Sequence, residues 1–471
     1  MIDRRELLAS AGNLGLLPNV VEKDYVLGWL LAGISKNATL KDSWVFKGGT
    51  CLKKCYFETY RFSEDLDFTL PDESHLSLDF LTATFREIGA WVYEQAGIEL
   101  PPDKIYFEVF QNRRGRVAGQ GRISYRGPIA PASGDLPRIK LDLTLDEMLV
   151  LPPVSRPVAH PYSDGPEGGI HANCYSYEEV FAEKVRALAE RARPRDLYDV
   201  INLFRHDEFH PAASVIHDTL SKKCVFKGIP FPTLAALSPL RDELEADWVV
   251  MLDHQLPALP PVDAFWSELP ALFAWIVEGR QPVVLAAYPM GAGDVVIRPP
   301  AGSISIPGMV SSAPIEVIRF AASNRLCVEL DYVDEKGNRG NRIIEPYSIR
   351  RTQAGDIVLH ALRADGGEHR SYRIDRIRRA RATKQSFTPR YAIELTPMGP
   401  ISAPPVSYSP RITEFKPPSR TATRTVPIYV YQCGTCGRRF EHSKRDATLS
   451  VHKGNNGRPC AGRHGIWVET K

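Results

Sequence analysis

Acidic residues at alternate positions distinguish the segment RFSEDLDFTL, which begins at Arg61. Side chains at i, i+2 and i+4 of a β-strand lie on one face, so Arg61, Ser63, Asp65 and Asp67 are predicted to project together. Two carboxylates about 7 Å apart on one face repel each other unless a cation lies between them. Mg²⁺ prefers oxygen ligands and also binds substrate phosphates. The spacing therefore predicts a Mg²⁺ site at Asp65 and Asp67, with Arg61 and Ser63 beside it in contact with the nucleotide.

A third acid, Asp142, interrupts the apolar alternation of the predicted strand RIKLDLTLDE. Three carboxylates on neighbouring strands would form a cradle for two metal ions, the arrangement used for in-line phosphoryl or nucleotidyl transfer. Asp142 has an alternative use, which is to pair with Arg138 or Lys140. For the whole acidic segment, the alternative is an edge strand whose acids face only solvent.

Two glycines and a threonine precede the acids in the sequence WVFKGGT. Gly48 and Gly49 follow a predicted strand and open a helix, which leaves backbone N–H groups available to an anion. The missing Cβ atoms would let a triphosphate approach, and Thr50 would add a hydroxyl donor. This short motif alone is weak, but its place before the Asp-x-Asp strand predicts a nucleotide site.

Two further charged residues lie on predicted helices. SYEEVFAEKVRALAERA has Ser176 as N-cap with Glu179 three positions later, a capping box, and Pro194 begins the next helix. Lys184 lies near the buried boundary of the first helix and is expected to point into a cleft, although an ordinary surface lysine would fit the pattern. Asp196, at the start of the second helix, would serve equally as a helix cap.

Strand and helix patterns alternate up to about residue 205, and only helical patterns appear from about 206 to 280. The predicted domains are 1–205 (catalytic core), 206–285 (helical), 286–312 (linker), 313–396 (small β domain), 397–427 (linker) and 428–471 (metal-binding module). The predicted fold class is α+β.

Composition places the chain among globular proteins, with 43% hydrophobic and 24% charged residues in 471. The absence of a membrane span or signal peptide predicts a cytoplasmic protein. Five of the eight cysteines are scattered along the chain, and three cluster near its end, which indicates metal ligation. Residues 401–471 contain twelve Lys or Arg against four Asp or Glu, so this basic end is expected to meet a polyanion.

The motifs FKGGTCLKKCY…RFSEDLDF, preceded by VEKDYVL and followed by FAEKVRALAERARPRDLYDV, resemble the AbiEii/AbiGii toxin family of nucleotidyltransferases, which includes the MenT toxins. The resemblance covers about residues 15–280. It implies a polymerase-β-like fold with a helical half. Several members of the family act as toxins in toxin–antitoxin or phage-abortive systems. Better understood members transfer a nucleotide from an NTP to the 3′ end of tRNA, and others are described as binding GTP.

The resemblance also assigns roles to residues. It implies phosphate binding by Gly48, Gly49 and Thr50, and metal binding by the strand of Ser63, Asp65 and Asp67. It further implies that Lys184 holds the triphosphate and that Asp196 belongs to the last acidic motif. Asp142 is the least secure of the acids, because family members differ there.

Residues 313–396 resemble a WYL domain, a small SH3-like barrel regarded as a ligand or nucleic-acid sensor. The resemblance rests on the opening helix and on LDYV, IEPYSIRR and RSYRIDRI, while VLHAL replaces the namesake motif. Six arginines offer guanidinium groups suited to phosphate: Arg350, Arg351, Arg363, Arg370, Arg373 and Arg376. A domain that only bridges to a partner is the alternative.

A Cys-x-x-Cys motif marks the last segment. Cys433 and Cys436 are predicted to bind a structural Zn²⁺ with His452 and Cys460, and His464 or His442 could replace His452. So short a module has too little core to fold without such a staple. Its basic residues, with aromatic residues among them, suit contact with a nucleic-acid backbone.

Together these patterns predict a Mg²⁺-dependent nucleotidyltransferase that moves NMP from an NTP to an RNA or protein acceptor, with tRNA favoured. The enzyme would act within a toxin–antitoxin or phage-defence system. In this hypothesis Asp142 positions or deprotonates the acceptor hydroxyl, and the basic C-terminus recruits the RNA. A sensor that binds nucleotide or nucleic acid without catalysis is the main alternative. A toxin that acts through nucleotide binding alone is another. A cognate antitoxin would be a partner.

Overall fold

The computed structural model describes residues 1–57, 61–112, 114–129, 135–206, 211–291, 293–297, 313–395, 428–442, 446–454 and 457–470. It divides into two compact units, Met1–Ser407 and Tyr408–Lys471. The linker predicted at 397–427 lies outside the described residues, as does 298–312 of the other predicted linker.

Helices are spread over the first unit. In the described residues they are α1 Arg4–Leu14, α2 Pro18–Lys36, α3 Gly48–Cys51, α4 Leu78–Ala96, α5 Tyr177–Arg191, α6 Pro194–Phe204, α7 Ala213–Lys227, α8 Leu234–Leu237, α9 Arg241–Leu252, α10 Asp263–Trp266, α11 Leu269–Glu278 and α12 Ala313–Ser323. A π-helical turn, Leu52–Tyr56, continues α3.

Strands occur in both units. Those described are β1 Val45–Lys47, β2 Asp65–Thr69, β3 Ile105–Gln111, β4 Val117–Ser124, β5 Arg138–Thr144, β6 Val154–Pro157, β7 His171–Cys174, β8 Val295–Val296, β9 Leu326–Val333, β10 Arg339–Arg351, β11 Ile357–Arg363, β12 His369–Arg373, β13 Ile377–Ser386, β14 Tyr429–Cys433, β15 Arg439–His442 and β16 Gly465–Thr470.

The catalytic half is organised by a mixed seven-stranded sheet of order β3-β4-β5-β2-β1-β7-β6. Strand β2 runs antiparallel to β1 and parallel to β5, so it lies at the centre. The apolar residues of its strands, such as Leu66 and Leu141, are fully buried on one face of the sheet, where Phe107 packs on Phe85 of α4. The alternate residues, including the acids, are left on the opposite, open face.

Strand β2 is shorter than the sequence predicted. The strand begins at Asp65, and residues 61–64 precede it without regular structure. Arg61 and Ser63 therefore lie outside the strand, so strand alternation does not determine where their side chains point. The backbone N–H of Phe62 donates instead to the carbonyl of Gln255, which draws this segment toward the helical half.

Helix ends follow the local sequence signals. Gly97 ends α4 in the left-handed conformation at φ 68°, and Pro194 begins α6. Ser176 caps α5 by accepting from the N–H of Glu179. The Glu179 carboxylate does not complete a capping box, because it accepts from the N–H groups of Val150 and Leu151.

The small β domain comprises α12 and an antiparallel sheet of order β12-β11-β10-β9-β13. Part of the segment predicted as a linker belongs to it, because β8 pairs with β10. Tyr288 from the same segment is 2% exposed and donates to the carbonyl of Ala361. The predicted α+β fold class is confirmed, with a mixed sheet followed by a separate antiparallel one.

The second unit contains a three-stranded sheet of order β15-β14-β16. Within the described part of the chain, no helix combines the length and apolar character that crossing a bilayer requires.

Candidate active site

The three acids form a bent row at the centre of the sheet, with Asp65 and Asp67 along β2 and Asp142 beside Asp67 on β5. Asp67 is directly opposite Asp142 on β5 and opposite Lys47 on β1, and Asp142 is opposite Gln120 on β4. Asp65 is opposite Lys140. Because paired residues of neighbouring strands face the same way, the three carboxylates share the open face of the sheet.

The glycines are required by the close approach of this row. Gly48 has φ 79°, and a Cβ atom there would lie 2.2 Å from Oδ2 of Asp67. A Cβ atom on Gly49 would lie 2.4 Å from Nη2 of Arg61 and 3.1 Å from Oγ of Ser63. No side chain larger than hydrogen fits either place without displacing a residue of the site. The turn therefore places its backbone directly against the carboxylates.

Thr50 stabilises the turn from inside. It is 1% exposed, and its hydroxyl donates to the backbone carbonyl of Asp65. This bond joins the turn to the start of β2. The donor that was expected to meet a triphosphate is thus used within the protein, because the hydroxyl points at the strand.

Burial and mutual repulsion raise the pKa values of the Asp65 and Asp67 carboxylates. Burial, together with the charges of Asp142 and Asp65, raises the pKa of Asp67 to about 6 against the opposing effect of Lys47. Burial also raises the pKa of Asp65, with Asp142 adding to it. A divalent cation would remove this repulsion, and an all-oxygen donor set suits Mg²⁺. The residues present therefore fit the ion.

Asp142 fulfils both sequence interpretations. It adjoins Asp67 on the open face, while its Oδ2 lies 2.7 Å from Nζ of Lys140 and its Oδ1 accepts from Nε2 of Gln120 at 3.1 Å. Lys140 is 41% exposed, so solvent screens this ion pair and the carboxylate remains available.

Lys184 and Asp196 belong to a buried ionic network beside the row. Nζ of Lys184 lies 2.6 Å from Asp199 and 3.3 Å from Asp196. Arg61 binds Asp199 through two hydrogen bonds of 2.7 and 2.8 Å, and Arg191 binds Asp196 likewise. The opposing charges outweigh burial and lower the pKa of both aspartates. Lys184 has three donors, so one remains for a substrate.

This network gives Arg61 and Asp196, which were predicted to act on the nucleotide, partners within the protein. Arg61 is 2% exposed and its guanidinium also donates to Gln255, so it holds β2 to the helical half rather than facing a nucleotide. Asp196 is fully buried and accepts hydrogen bonds from Arg191 and Lys184, so it helps to hold the lysine side chain in position. The spacing along the sequence could not reveal these pairs, since Arg61 and Asp199 are 138 positions apart.

The family is decided by a sequence model. The model described as "Nucleotidyl transferase AbiEii toxin, Type IV TA system" matches residues 29–277, which is more than half of the chain. The chain belongs to the AbiEii family. It is a toxin-family nucleotidyltransferase, as the resemblance predicted. A WYL domain model matches residues 314–382, which confirms the assignment of the small domain.

Two solved structures show similarity to parts of this AbiEii chain. MenT4, a nucleotidyltransferase toxin from Mycobacterium tuberculosis H37Rv, aligns over 53% of this chain and 90% of its own, with 20% identity and a TM-score of 0.32. Proteasome accessory factor B/C of Arthrobacter aurescens aligns over 61% of this chain and 41% of its own, with 14% identity and a TM-score of 0.16. Among curated proteins, none matches.

The AbiEii site contains charged residues that the sequence did not single out. Lys47 ends β1 opposite Asp67 and lies 3.6 Å from Glu147. The sequence signal for Lys47 was its position directly before the two glycines.

Three cysteines that are scattered in the sequence, Cys51, Cys55 and Cys174, are buried together behind the glycine turn, with their sulfur atoms within 4.8 Å of one another.

Most of the six WYL-domain arginines that were predicted to suit phosphate are paired within the protein. Arg350 is 6% exposed and binds Glu394 at 3.0 Å. The others with carboxylate partners are Arg363 with Asp365, Arg370 with Glu368, Arg373 with Asp356 and Asp375, and Arg376 with Glu335. Among the described residues, no ion pair involves Arg351. The structure thus uses most of the guanidinium groups internally, with Arg350 in the interior.

The second unit gathers the four predicted zinc ligands. Cys433, Cys436, His452 and Cys460 each offer a ligand atom within 4.8 Å of the others. Nδ1 of His452 is 2.8 Å from the carbonyl of Ser450, which directs Nε2 toward Cys436 at 3.3 Å. Three sulfur atoms and one imidazole nitrogen fit a tetrahedral Zn²⁺. The alternative ligands lie elsewhere: His442 packs on Tyr431, and His464 forms a bridge with Thr448.

Proposed function

We propose that this toxin uses Mg²⁺ to transfer NMP from an NTP to an RNA acceptor, with the 3′ end of tRNA as the favoured acceptor. The observation that carries the proposal is the row of Asp65, Asp67 and Asp142 against the Gly48 turn. Family membership supports the reaction class. The resemblance to tRNA-modifying members favours tRNA over other RNAs.

In the proposed reaction, the acceptor hydroxyl attacks the α-phosphorus of the NTP. A new O–P bond forms, the bond between the α-phosphorus and the bridging oxygen breaks, and pyrophosphate leaves. Bound Mg²⁺ would neutralise phosphate charge and align the two oxygens. Asp65 and Asp67 would hold the ion, and the backbone of Gly48 and Gly49, with Ser63 beside them, would contact the triphosphate.

Proton transfer and charge balance fall to neighbouring residues. Asp142 borders the open end of the row and would accept the hydroxyl proton or orient the hydroxyl. The remaining donor of Lys184 would contact the triphosphate, since the ammonium charge acts on Asp67 and partly offsets the rise in that group's pKa. Asp196 and Asp199 would keep the ammonium group in place.

The remaining modules complete the proposal. Zn²⁺ bound to Cys433, Cys436, His452 and Cys460 would stabilise the C-terminal fold, which has little core of its own. The toxin would work in the cytoplasm under control of an antitoxin. Metal analysis of the purified protein should find one zinc per chain, lost in Cys433→Ser and retained in Cys224→Ser, which changes a buried cysteine of α7.

Incubation with each α-³²P-labelled NTP, Mg²⁺ and total cellular RNA tests the central proposal. The wild type should label a discrete RNA, and Asp65→Asn should not. Asp79→Asn, which alters an exposed acid at the start of α4, is the matched control and should label normally. Undiminished labelling by Asp65→Asn would refute the assignment of the acids. Labelling of protein instead of RNA would refute the acceptor class.

A further inference from the structure

A groove of about 640 Å³ lies on the same face of the sheet as the carboxylates. Its lining includes Tyr106 of β3, Gln120, Arg122 and Ser124 of β4, and Arg138 of β5. These positions alternate with more buried ones along each strand. The groove is therefore an extension of the open face toward the β3 edge, and no α-helix of the described chain contributes a residue to its lining.

Strand register connects the groove to the acids. Tyr106 is opposite Arg122, Arg122 is opposite Lys140, and Lys140 is opposite Asp65. Three strand spacings of about 4.8 Å separate Tyr106 from Asp65, which makes about 15 Å. Side chains also form a link, because Arg122 donates to Gln120 at 3.1 Å and Gln120 donates to Asp142.

The side chains of the groove suit a polyanion with flat bases. The lining has four cations, Lys104, Arg122, Arg126 and Arg138, against the two acids Glu108 and Asp135. Within the described chain, neither Arg122 nor Arg138 has a carboxylate partner, so both guanidinium groups can meet phosphates. Tyr106 is 61% exposed on the strand beside them. An aromatic ring among cations on an open sheet is the usual platform for single-stranded RNA.

We propose that this groove binds the unpaired 3′ nucleotides of the RNA acceptor, with a base stacked on Tyr106 and phosphates held by Arg122 and Arg138. A stacked strand rises about 3.4 Å per nucleotide, so about four nucleotides cover the distance to Asp65. That is the length of the unpaired 3′ end of a tRNA. The inference rests on the proposed function and assigns acceptor recruitment to the sheet, rather than to the basic C-terminus.

Binding and transfer are measured separately on the full chain. Binding uses fluorescence anisotropy of a labelled single-stranded RNA that carries a tRNA 3′ end, without NTP. Tyr106→Ala should weaken it about tenfold or more, the usual effect of removing a stacked base. Tyr93→Ala is the control, because Tyr93 is 59% exposed on α4 and lies outside the groove.

The arginines give a second, charge-specific readout. Arg122→Gln with Arg138→Gln should lower the slope of log affinity against log salt by about 1.4, since each phosphate contact of a single strand contributes about 0.7. Arg86→Gln, an exposed arginine of α4, should leave the slope unchanged. All altered side chains are exposed or polar, and thermal denaturation of each variant checks that folding is retained.

Transfer assays then separate this inference from the proposed function. In a wild type that labels RNA, Tyr106→Ala should raise KM for RNA about tenfold and leave KM for the NTP unchanged. The assignment of RNA binding to the groove would be wrong if Tyr106→Ala had the same RNA affinity and the same KM for RNA as the wild type. Photocrosslinks of the RNA to residues 428–470 instead of β3 and β4 would also contradict it. Failure of the wild type to label any RNA would overturn the proposed function, while the binding data would still decide whether RNA lies in the groove.

Discussion

The open row of carboxylates and the buried ionic network use the same residue type in opposite ways. In the network, Asp199 lies between Arg61 and Lys184, and their charges hold its pKa below the ordinary value. In the row, Asp67 lies between two other carboxylates, and its pKa is raised. The first arrangement is electrostatically complete without a ligand. The second is stabilised only when a cation arrives, which is the property expected of a site that binds metal and phosphate.

The largest effect on stability is expected in the network. Asp199→Asn should lower the free energy of unfolding by about 3–5 kcal/mol, because it leaves the buried Arg61 and Lys184 charges without full compensation. Denaturant unfolding measures the change. Asp331→Asn, which breaks an ion pair of the small domain with a mostly exposed arginine, is the comparison and should cost about 1 kcal/mol or less. Equal losses in the two variants would contradict the distinction.

Acid should unfold the protein partly through this same network. The folded-state pKa of Asp199 is lowered, so its contribution is present above the unfolded-state value of about 3.9 and is lost as pH falls below it. The wild type should therefore lose stability on acidification below about pH 4 more steeply than Asp199→Asn. Unfolding curves at a series of pH values measure the difference, and parallel curves for the two proteins would contradict the buried pairing.

The largest effect on activity is expected in the row. Asp65→Asn should reduce nucleotide transfer by about a hundredfold to a thousandfold, comparable to the loss of one electrostatic group that stabilises a transition state. Single-turnover labelling at saturating Mg²⁺ measures this. The free energy of unfolding should be nearly unchanged. A variant that loses its activity only because it unfolds would contradict a direct role.

Asp67→Asn should separate stability from activity. Its carboxylate has a folded pKa of about 6 against about 3.9 unfolded, so in EDTA the wild type should lose stability as pH rises between these values. Asp67→Asn should avoid that loss and be more stable at pH 7 by on the order of 3 kcal/mol. Mg²⁺ should raise the melting temperature of the wild type but not of the variant. An identical response to pH and Mg²⁺ in both proteins would exclude the repulsive row.

The smallest effect is expected for the exposed ion pair at the edge of the row. Lys140→Gln should change the free energy of unfolding by less than about 1 kcal/mol, since both partners are more than a third exposed. Chemical denaturation measures it beside Asp199→Asn. A loss as large as that of Asp199→Asn would show that the two regions do not differ as described.

Local sequence patterns predicted much of the site, and contacts between distant segments limited how much could be predicted. Period-2 alternation was sufficient to place Asp67 and Asp142 on one face, because strand geometry fixes which side chains share a face. Start and stop signals located α4 and α6 in the same way. The strand of the acids was predicted too long because Phe62 and Arg61 are held by the distant helical half, which no local pattern reports.

Contacts between segments far apart in sequence account for what was missed. Arg61 was interpreted as a substrate ligand since its partner Asp199 lies in another part of the chain. Tyr106 and Arg122 drew no attention because their meaning depends on the order of strands, which places β3 and β4 beyond β5 on the open face. Cys51 and Cys174 were likewise scattered in sequence and are adjacent only in the fold.

One carboxylate, that of Glu268, contacts both the small domain and the catalytic half. Oε1 of Glu268 accepts from Arg205, just after α6, at 2.6 Å and also from Arg325 at the start of the small domain. Helix α6 carries Asp196 and Asp199. If another domain replaced the small domain without a cation at the position of Arg325, Glu268 would keep only Arg205 as its partner. An exchange of the small domain is thus expected to require a compensating substitution at or near Glu268.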